Sequence, residues 1–426
     1  MKSEWKKVSL KDIATVLSDG LHKAPEFINN GEYIFVNATN LENGYIVEKD
    51  TAKRTTYEEY LKYGVTLTDR TILYSIDGTI GNIARYRGEK CVLGKGACYI
   101  NLKDIVDLDF IYYQLQSPDF NEYIHTMATG STIRHISLKT MRDYSFYIPP
   151  ITLQRRISKI LKSLDDKIEN NHKTCEKLEE IAQAIFKRWF VDFEFPNEEG
   201  LPYKSSGGEM VYCEELGKEI PKGWRIGTIG DYCSIKSGYA FKSSWWQEEG
   251  IPVIKIKGIT NKSIDLSESS FVDITIAELA SEFIVNGGDL LIAMTGATIG
   301  KFGIVPFVKP YAVVNQRVGK FFLGDDPYKK LGFIYSLLLQ SDIYKEIVSR
   351  GEGSAQPNIS PTSIMSIPIL LPCTDLITAY NQFVEPLFRM NIKYQKENEQ
   401  AQQIRDTLLP KLMSGELAVN EVEDVI

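Results

Sequence analysis

The sequence predicts an α+β fold: two similar α/β modules, each followed by a long helix, the two helices forming an antiparallel intramolecular coiled coil with pseudo-twofold symmetry. Three observations predict it. A heptad pattern runs from Ile151 to Phe190 with no Pro or Gly to interrupt it. A second helical stretch, Thr374 to Leu417, aligns with the first at an offset of 223 residues. The segments ahead of the two stretches share islands of sequence in the same order, the mark of an internal repeat.

Residues 1–148 form the first module. Short strands are expected at Gly31–Val36 and Thr71–Ile76, with turns at Asn43-Gly44, Asp77-Gly78 and Gly94-Lys95-Gly96 and helical character at Phe110–Leu115. Residues 149–190 form the first helix. Steps of three and four give Ile157, Leu161, Leu164, Ile168, Asn171, Cys175, Leu178, Ala182, Ile185 and Trp189, a narrow stripe that suits a helical partner. At about 1.5 Å per residue the helix is roughly 50 Å long. Asn171, in mid-seam, is expected to fix register at some cost in stability.

Residues 191–222 are acidic and rich in Gly, Pro and Ser, and read as a linker or lightly structured strap. Residues 223–372 repeat the first plan. Trp5 with Asp12 matches Trp224 with Asp231, Thr79-Ile80-Gly81 matches Thr298-Ile299-Gly300, and Gly130-Ser131 with Ile136-Ser137 matches Gly353-Ser354 with Ile359-Ser360. Residues 373–417 form the second helix, in which Pro386 is expected to disturb the first turns, and 418–426 a tail. The seam residues expected to pair the helices are Leu161, Leu164, Ile168, Leu178 and Ile185 on the first, and Leu387, Tyr394, Ala401, Ile404 and Leu408 on the second.

Net charge is −7 over 426 residues, and the acid is concentrated in the linker, at −5, and in residues 374–426, at −4. The modules are near neutral, so a local basic face is compatible with the total. No run of 18 apolar residues occurs and the first residues lack an apolar signal core, so a cytoplasmic chain without membrane contact is expected. The six cysteines contain no CxxC pair and read as reduced core thiols.

Catalytic patterns are missing. Gly296–Lys301 has three residues between its glycines where a phosphate loop needs four, and Phe302 stands where Ser or Thr would bind magnesium. The four histidines are scattered, and neither HExxH, GxSxG nor GxGxxG occurs. No metal site and no catalytic residue are expected. Candidate contacts to DNA come instead from matched loops. They are Ser131, Thr132, Arg134 and His135 in the first module and Ser354, Gln356 and Asn358 in the second, residue types that can read base edges or phosphates. Near them stand Arg85, Arg87 and Lys95, and in the second module Lys255, Lys257, Lys301, Asn315 and Arg317.

Two stretches carry a family likeness: AQAIFKRWFVDFEFP, Ala182 to Pro196, and RDTLLPKLMSGEL, Arg405 to Leu417. With the paired Gly-Ser loops they make the chain resemble the specificity subunit of Type I restriction-modification systems. The resemblance covers nearly the whole chain, with Leu153-Gln154 in place of the usual Glu-Gln and a degenerate second helix entry at Pro372-Cys373-Thr374. It implies a non-catalytic subunit whose two target recognition domains each read half of an asymmetric split site in double-stranded DNA. It also implies spacer helices that set the gap and dock two methyltransferase subunits. S-adenosylmethionine would then reside on those partners, and ATP and Mg on two restriction subunits where a system has them. The alternatives are a tandem-repeat scaffold that binds proteins without DNA specificity, and a fused nuclease, for which Glu4-Trp5-Lys6 lacks the upstream Pro-Asp.

Overall fold

The computed structural model describes residues 4–49, 51–130, 134–351 and 357–423. They form two compact units, residues 1–167 with 401–426 and residues 168–400, so the division passes through both long helices.

In the first unit an antiparallel sheet has the order Ala14–Asp19, Ala97–Leu102, Thr71–Ser75, Ile83–Arg85. Thr71–Ser75 is buried along its whole length, as a strand covered on both faces must be. The helices Leu108–Gln114 and Pro118–Met127 pack on the sheet through Phe110, Ile111, Phe120 and Ile124. A second sheet centres on Tyr33–Val36, parallel to Cys91–Leu93 and antiparallel to Arg54–Thr55. Lys6–Ser9 pairs with Ser145–Ile148, so the start of the module is bound to the strand that enters the helix.

The second unit repeats this plan. Its main sheet runs Ser234–Ser237, Val318–Phe322, Leu290–Ala293, Phe302–Ile304, Lys262–Ser263. Arg225–Thr228 closes on Pro368–Leu371 as the counterpart of the first terminal pair. The repeated Asp is explained by capping: Asp12 accepts from Ser9 N at 2.9 Å and Asp231 from Thr228 N at 2.8 Å, each opening a short helix. The repeated Ile-Ser is explained in the same way. Ile136 and Ile359 are core residues, while Ser137 and Ser360 accept from Thr140 N and Ser363 N, both at 3.0 Å.

The first long helix spans Ile151–Phe186 and ends in a π-helical turn, Lys187–Val191. The second spans Thr374–Ser414 without a break. Pro386 therefore does not disturb it, contrary to the sequence expectation; thirteen residues into the helix, it lies in a stretch held on the second module by Tyr380, Val384 and Phe388. Within each unit the helices run antiparallel. In the first, Asp165 meets Arg405, and Arg156, nearer the start of its helix, meets Asn420 of the short helix Val419–Glu423 that follows the second long helix. In the second, Asn171 donates to Asn398 at 2.8 Å and Tyr380 Oη to the carbonyl of Ala182 at 3.3 Å.

Leu161, Leu164, Ile168, Leu178 and Ala401 are buried, and Ile185, Leu387, Tyr394 and Leu408 half-buried. Ile404 departs from expectation: it is 46% exposed, and Arg405 turns inward to pair with Asp165 at 2.9 Å. The seam advances by four residues from Ala401 instead of three, so the charged neighbour takes the inner position. Residues 191–222 differ too. Phe193 and Phe195 are buried beside Ile220 and Trp224, Phe195 stacks on Tyr203 at 4.4 Å, and Met210–Cys213 and Lys218–Pro221 form a hairpin. This segment is a folded strap on the second module. No helix among the described residues is long and apolar enough to cross a membrane.

Candidate nucleic-acid interface

In each module three pieces of chain meet beyond the central strand of the main sheet: the turn leaving that strand, the turn entering the inner strand, and the segment leading to the last short helix. In the first module Ile76 N donates to Gly96 O at 3.0 Å, Gly78 N to Arg134 O at 3.1 Å, and Ile136 N to Ile76 O at 2.9 Å. In the second, Met294 N donates to Arg317 O at 3.1 Å, Gly296 N to Pro357 O at 2.9 Å, and Ile359 N to Met294 O at 2.9 Å. Two more bonds continue the match: Leu21 N to Leu93 O with Gly94 N to Val36 O, against Tyr239 N to Val314 O with Asn315 N to Ile254 O. The bonds fix an alignment that residue types alone do not give. Asp77 corresponds to Thr295, Lys95 to Gln316, Gly96 to Arg317, Arg134 to Pro357 and His135 to Asn358.

Backbone geometry explains the glycines at the turn. Gly78 and Gly296 have φ of 71° and 72°, and nothing lies within 4 Å of where a Cβ would stand, so conformation rather than space selects glycine. Gly94 is selected by space: a Cβ would lie 2.1 Å from Asn37 Oδ1. In the second module the counterpart of Asn37 is Lys255, and the counterpart of Gly94 is Asn315.

The side chains differ where the backbones agree. In the first module Asp77 Oδ1 holds His135 Nδ1 at 2.6 Å, and Oδ2 lies 3.7 Å from Lys95 Nζ. Arg134 is exposed beside them. In the second module Thr295, Gln316, Arg317, Pro357 and Asn358 line a cleft of about 530 Å³. Thr295 Oγ1 is buried with no hydrogen-bond partner among the described residues.

Of the residues singled out in the sequence, Lys95, Arg134 and His135 thus converge in one module, and Asn315, Arg317 and Asn358 in the other. Several do not join them. Arg85 is drawn inside, its side chain 14% exposed, 3.4 Å from the centre of the Tyr112 ring and 2.6 Å from Asp109 Oδ1. A guanidinium stacked and paired in this way supports the fold and is not presented to a ligand. Arg87 donates to the carbonyl of Gly44 at 2.7 Å and lies over Tyr45. Lys255 donates to Ser270 Oγ at 2.6 Å over the ring of Trp246, where desolvation lowers its pKa. Lys257 pairs with Glu268 at 2.5 Å while remaining exposed. Lys301 is half-buried at the position of Asn82. Ser131, Thr132, Ser354 and Gln356 lie outside the described residues. Asp77, Thr295 and Gln316 also stand at these junctions, where an acid, a hydroxyl and an amide in separate turns carry no common sequence signal.

The family model for the Type I restriction modification DNA specificity domain matches residues 2–183 and again 221–399. The chain belongs to this family. Each match takes in one module and part of the helix that follows it, so the repeat read from the sequence is a repeat of the specificity domain. The chain is 30% identical over 406 residues to the Type I restriction enzyme MjaIX specificity subunit of Methanocaldococcus jannaschii, spanning 93% of this chain and 87% of that protein. It is 23% identical to the HindI specificity subunit of Haemophilus influenzae, over 97% and 100% of the two chains. A crystal structure of a Type I restriction-modification S subunit from M. genitalium shares the fold, with a TM-score of 0.59 at 21% identity over 96% of each chain. The family's description is one of DNA specificity, which makes the paired junctions the natural place to look for contacts with DNA.

Proposed function

We propose that the chain is the DNA-reading subunit of a Type I restriction-modification complex, with each module recognising one half of an asymmetric, bipartite site. One observation carries the reading: in a chain of the specificity family, two modules repeat the same backbone junction, bond for bond, and fill it with different side chains. A common backbone suits a common docking mode on duplex DNA, and unlike side chains suit unlike bases. The long helices set the gap between the half-sites and receive two methyltransferase subunits. Ile181 and Ile404, equivalent residues of the two helices, are 48% and 46% exposed and support a docking role. Chemistry belongs to the partners: S-adenosylmethionine is bound by the methyltransferase subunits, and ATP and Mg by restriction subunits in systems that cut. The complex acts in the cytoplasm, where its DNA lies.

The test is single-molecule sequencing of DNA from cells expressing this chain with its methyltransferase subunit, against cells with the methyltransferase alone. The expected result is a new methyladenine motif of two unlike short blocks around a fixed gap. A complex that assembles and binds S-adenosylmethionine, yet adds no motif, would overturn the proposal in favour of a protein-binding scaffold.

A further inference from the structure

The matched backbone bonds bring three side chains to the same place in each module: Asp77, Lys95 and His135 in the first, Thr295, Gln316 and Asn358 in the second. We infer that these two sets are the base-reading residues and that they assign different bases to the two half-sites. The inference rests on the proposal that the modules read DNA, and goes beyond it by naming the residues and the chemistry they select.

The positions are equivalent in detail. Residues 77 and 135 face each other across an isolated antiparallel bridge, and so do 295 and 358. Residues 95 and 316 each precede the residue whose carbonyl accepts from the central strand, Gly96 or Arg317. Each trio is built from three separate chain segments, and each sits on a strand end held from both sides. Side chains placed this way keep a fixed geometry, which base discrimination requires. All six residues are at least partly exposed, but the Thr295 hydroxyl itself is buried, so the polar groups the second trio presents are the amides of Gln316 and Asn358.

Their chemistry differs in kind. In the first trio the Asp77 carboxylate is turned inward, holding His135 through Nδ1 at 2.6 Å and facing Lys95 at 3.7 Å. What remains to be presented is the Lys95 ammonium and the far nitrogen of His135. Lysine donors match the O6 and N7 acceptors of guanine in the major groove. In the second trio Gln316 and Asn358 carry amides, whose oxygen can accept from adenine N6 while an N–H donates to N7. The first block should therefore contain a guanine read by Lys95, and the second an adenine read by an amide.

The experiment grafts the second trio onto the first module, Asp77→Thr with Lys95→Gln and His135→Asn, in the full chain assembled with its methyltransferase subunits. Methylated motifs are then mapped by single-molecule sequencing beside the wild type. The expected result is a first block altered at one or two base pairs, with preference for the original base falling 10-fold or more, while the second block and the gap stay the same. A triple variant that methylates with an unaltered first block overturns the inference, and so does equal weakening on all sequences, which marks phosphate contacts. If the triple variant does not fold, Lys95→Gln alone changes only an exposed side chain and must still relax the guanine position; an unrelaxed position overturns the inference. The wild-type map separates the two levels: without two unlike blocks there the reading of the modules as DNA-binding fails, whereas with them only the choice of residues is at stake.

Discussion

At the base of the first module, Tyr113 donates to Asp165 of the first helix at 2.6 Å and Arg405 of the second pairs with the same carboxylate at 2.9 Å. At the base of the second, the residue 223 positions after Asp165 is Phe388, which meets Tyr335 edge-on at 5.3 Å. Around it Phe190 lies 4.9 Å from Tyr380 and 5.2 Å from Phe333, and Phe186 5.9 Å from both. One module is seated on its helices partly through a half-buried polar network, the other through packed rings. The difference teaches that the repeat conserves the station and not the chemistry: any set of side chains that fills the space and satisfies its polar atoms will serve. That is why the modules share little sequence between their matched islands, and why the same freedom can operate at the junction proposed to face DNA.

Truncating the ring cluster should have the largest effect. Phe190→Ala is expected to cost about 3–5 kcal/mol, read as a lower Tm of the chain; a shift corresponding to under about 1 kcal/mol would show that the rings do not hold the second module. At the polar base, Asp165→Ala leaves the Arg405 guanidinium and the Tyr113 hydroxyl without their acceptor. A loss of about 1–3 kcal/mol is expected, part of it recovered in the double variant with Arg405→Met. A double-mutant cycle with no coupling would reduce this network to adjacent surface charges.

Asn171 and Asn398 sharpen the comparison within the helix pair, since both are buried and bonded to each other. Asn171→Leu alone should cost about 1 kcal/mol by stranding Asn398, whereas leucine at both positions should restore or raise Tm while loosening register. If the single variant proves as stable as the double, the pair has no structural role. The smallest effect is expected at Lys262, which holds φ of 76° and pairs with Glu179 at 2.5 Å. Lys262→Gly removes a strain of about 1 kcal/mol together with an ion pair worth roughly 0.2–1 kcal/mol, so denaturant unfolding should place it within about 0.5 kcal/mol of wild type. Lys262→Ala, which keeps the strain, should be the less stable of the two.

Much of the fold is legible in the sequence because the long helices write their packing as a period and the repeat writes its caps as Asp12 with Asp231 and Ser137 with Ser360. Legibility fails where neighbours decide. Extending the seam from Ala401 by three gives Ile404 and by four gives Arg405. Hydrophobicity favours the first, but the Asp165 carboxylate selects the second. Phe193 and Phe195 sit among acids beside a proline, and their burial under Trp224 needs a fold to be seen. At the candidate interface the first module's loop was visible through Gly130. The trio positions were not, because Asp77 and Thr295, or Lys95 and Gln316, share a backbone bond and no side-chain property.

The most direct measurement is the methylation motif of a chain in which residues 4–148 stand in place of 223–372, assembled with the methyltransferase subunits and mapped by single-molecule sequencing. If each module reads its own half-site, the motif should consist of two copies of the first block around the gap. A motif that keeps two unlike blocks would contradict the account, because specificity would then reside outside the modules.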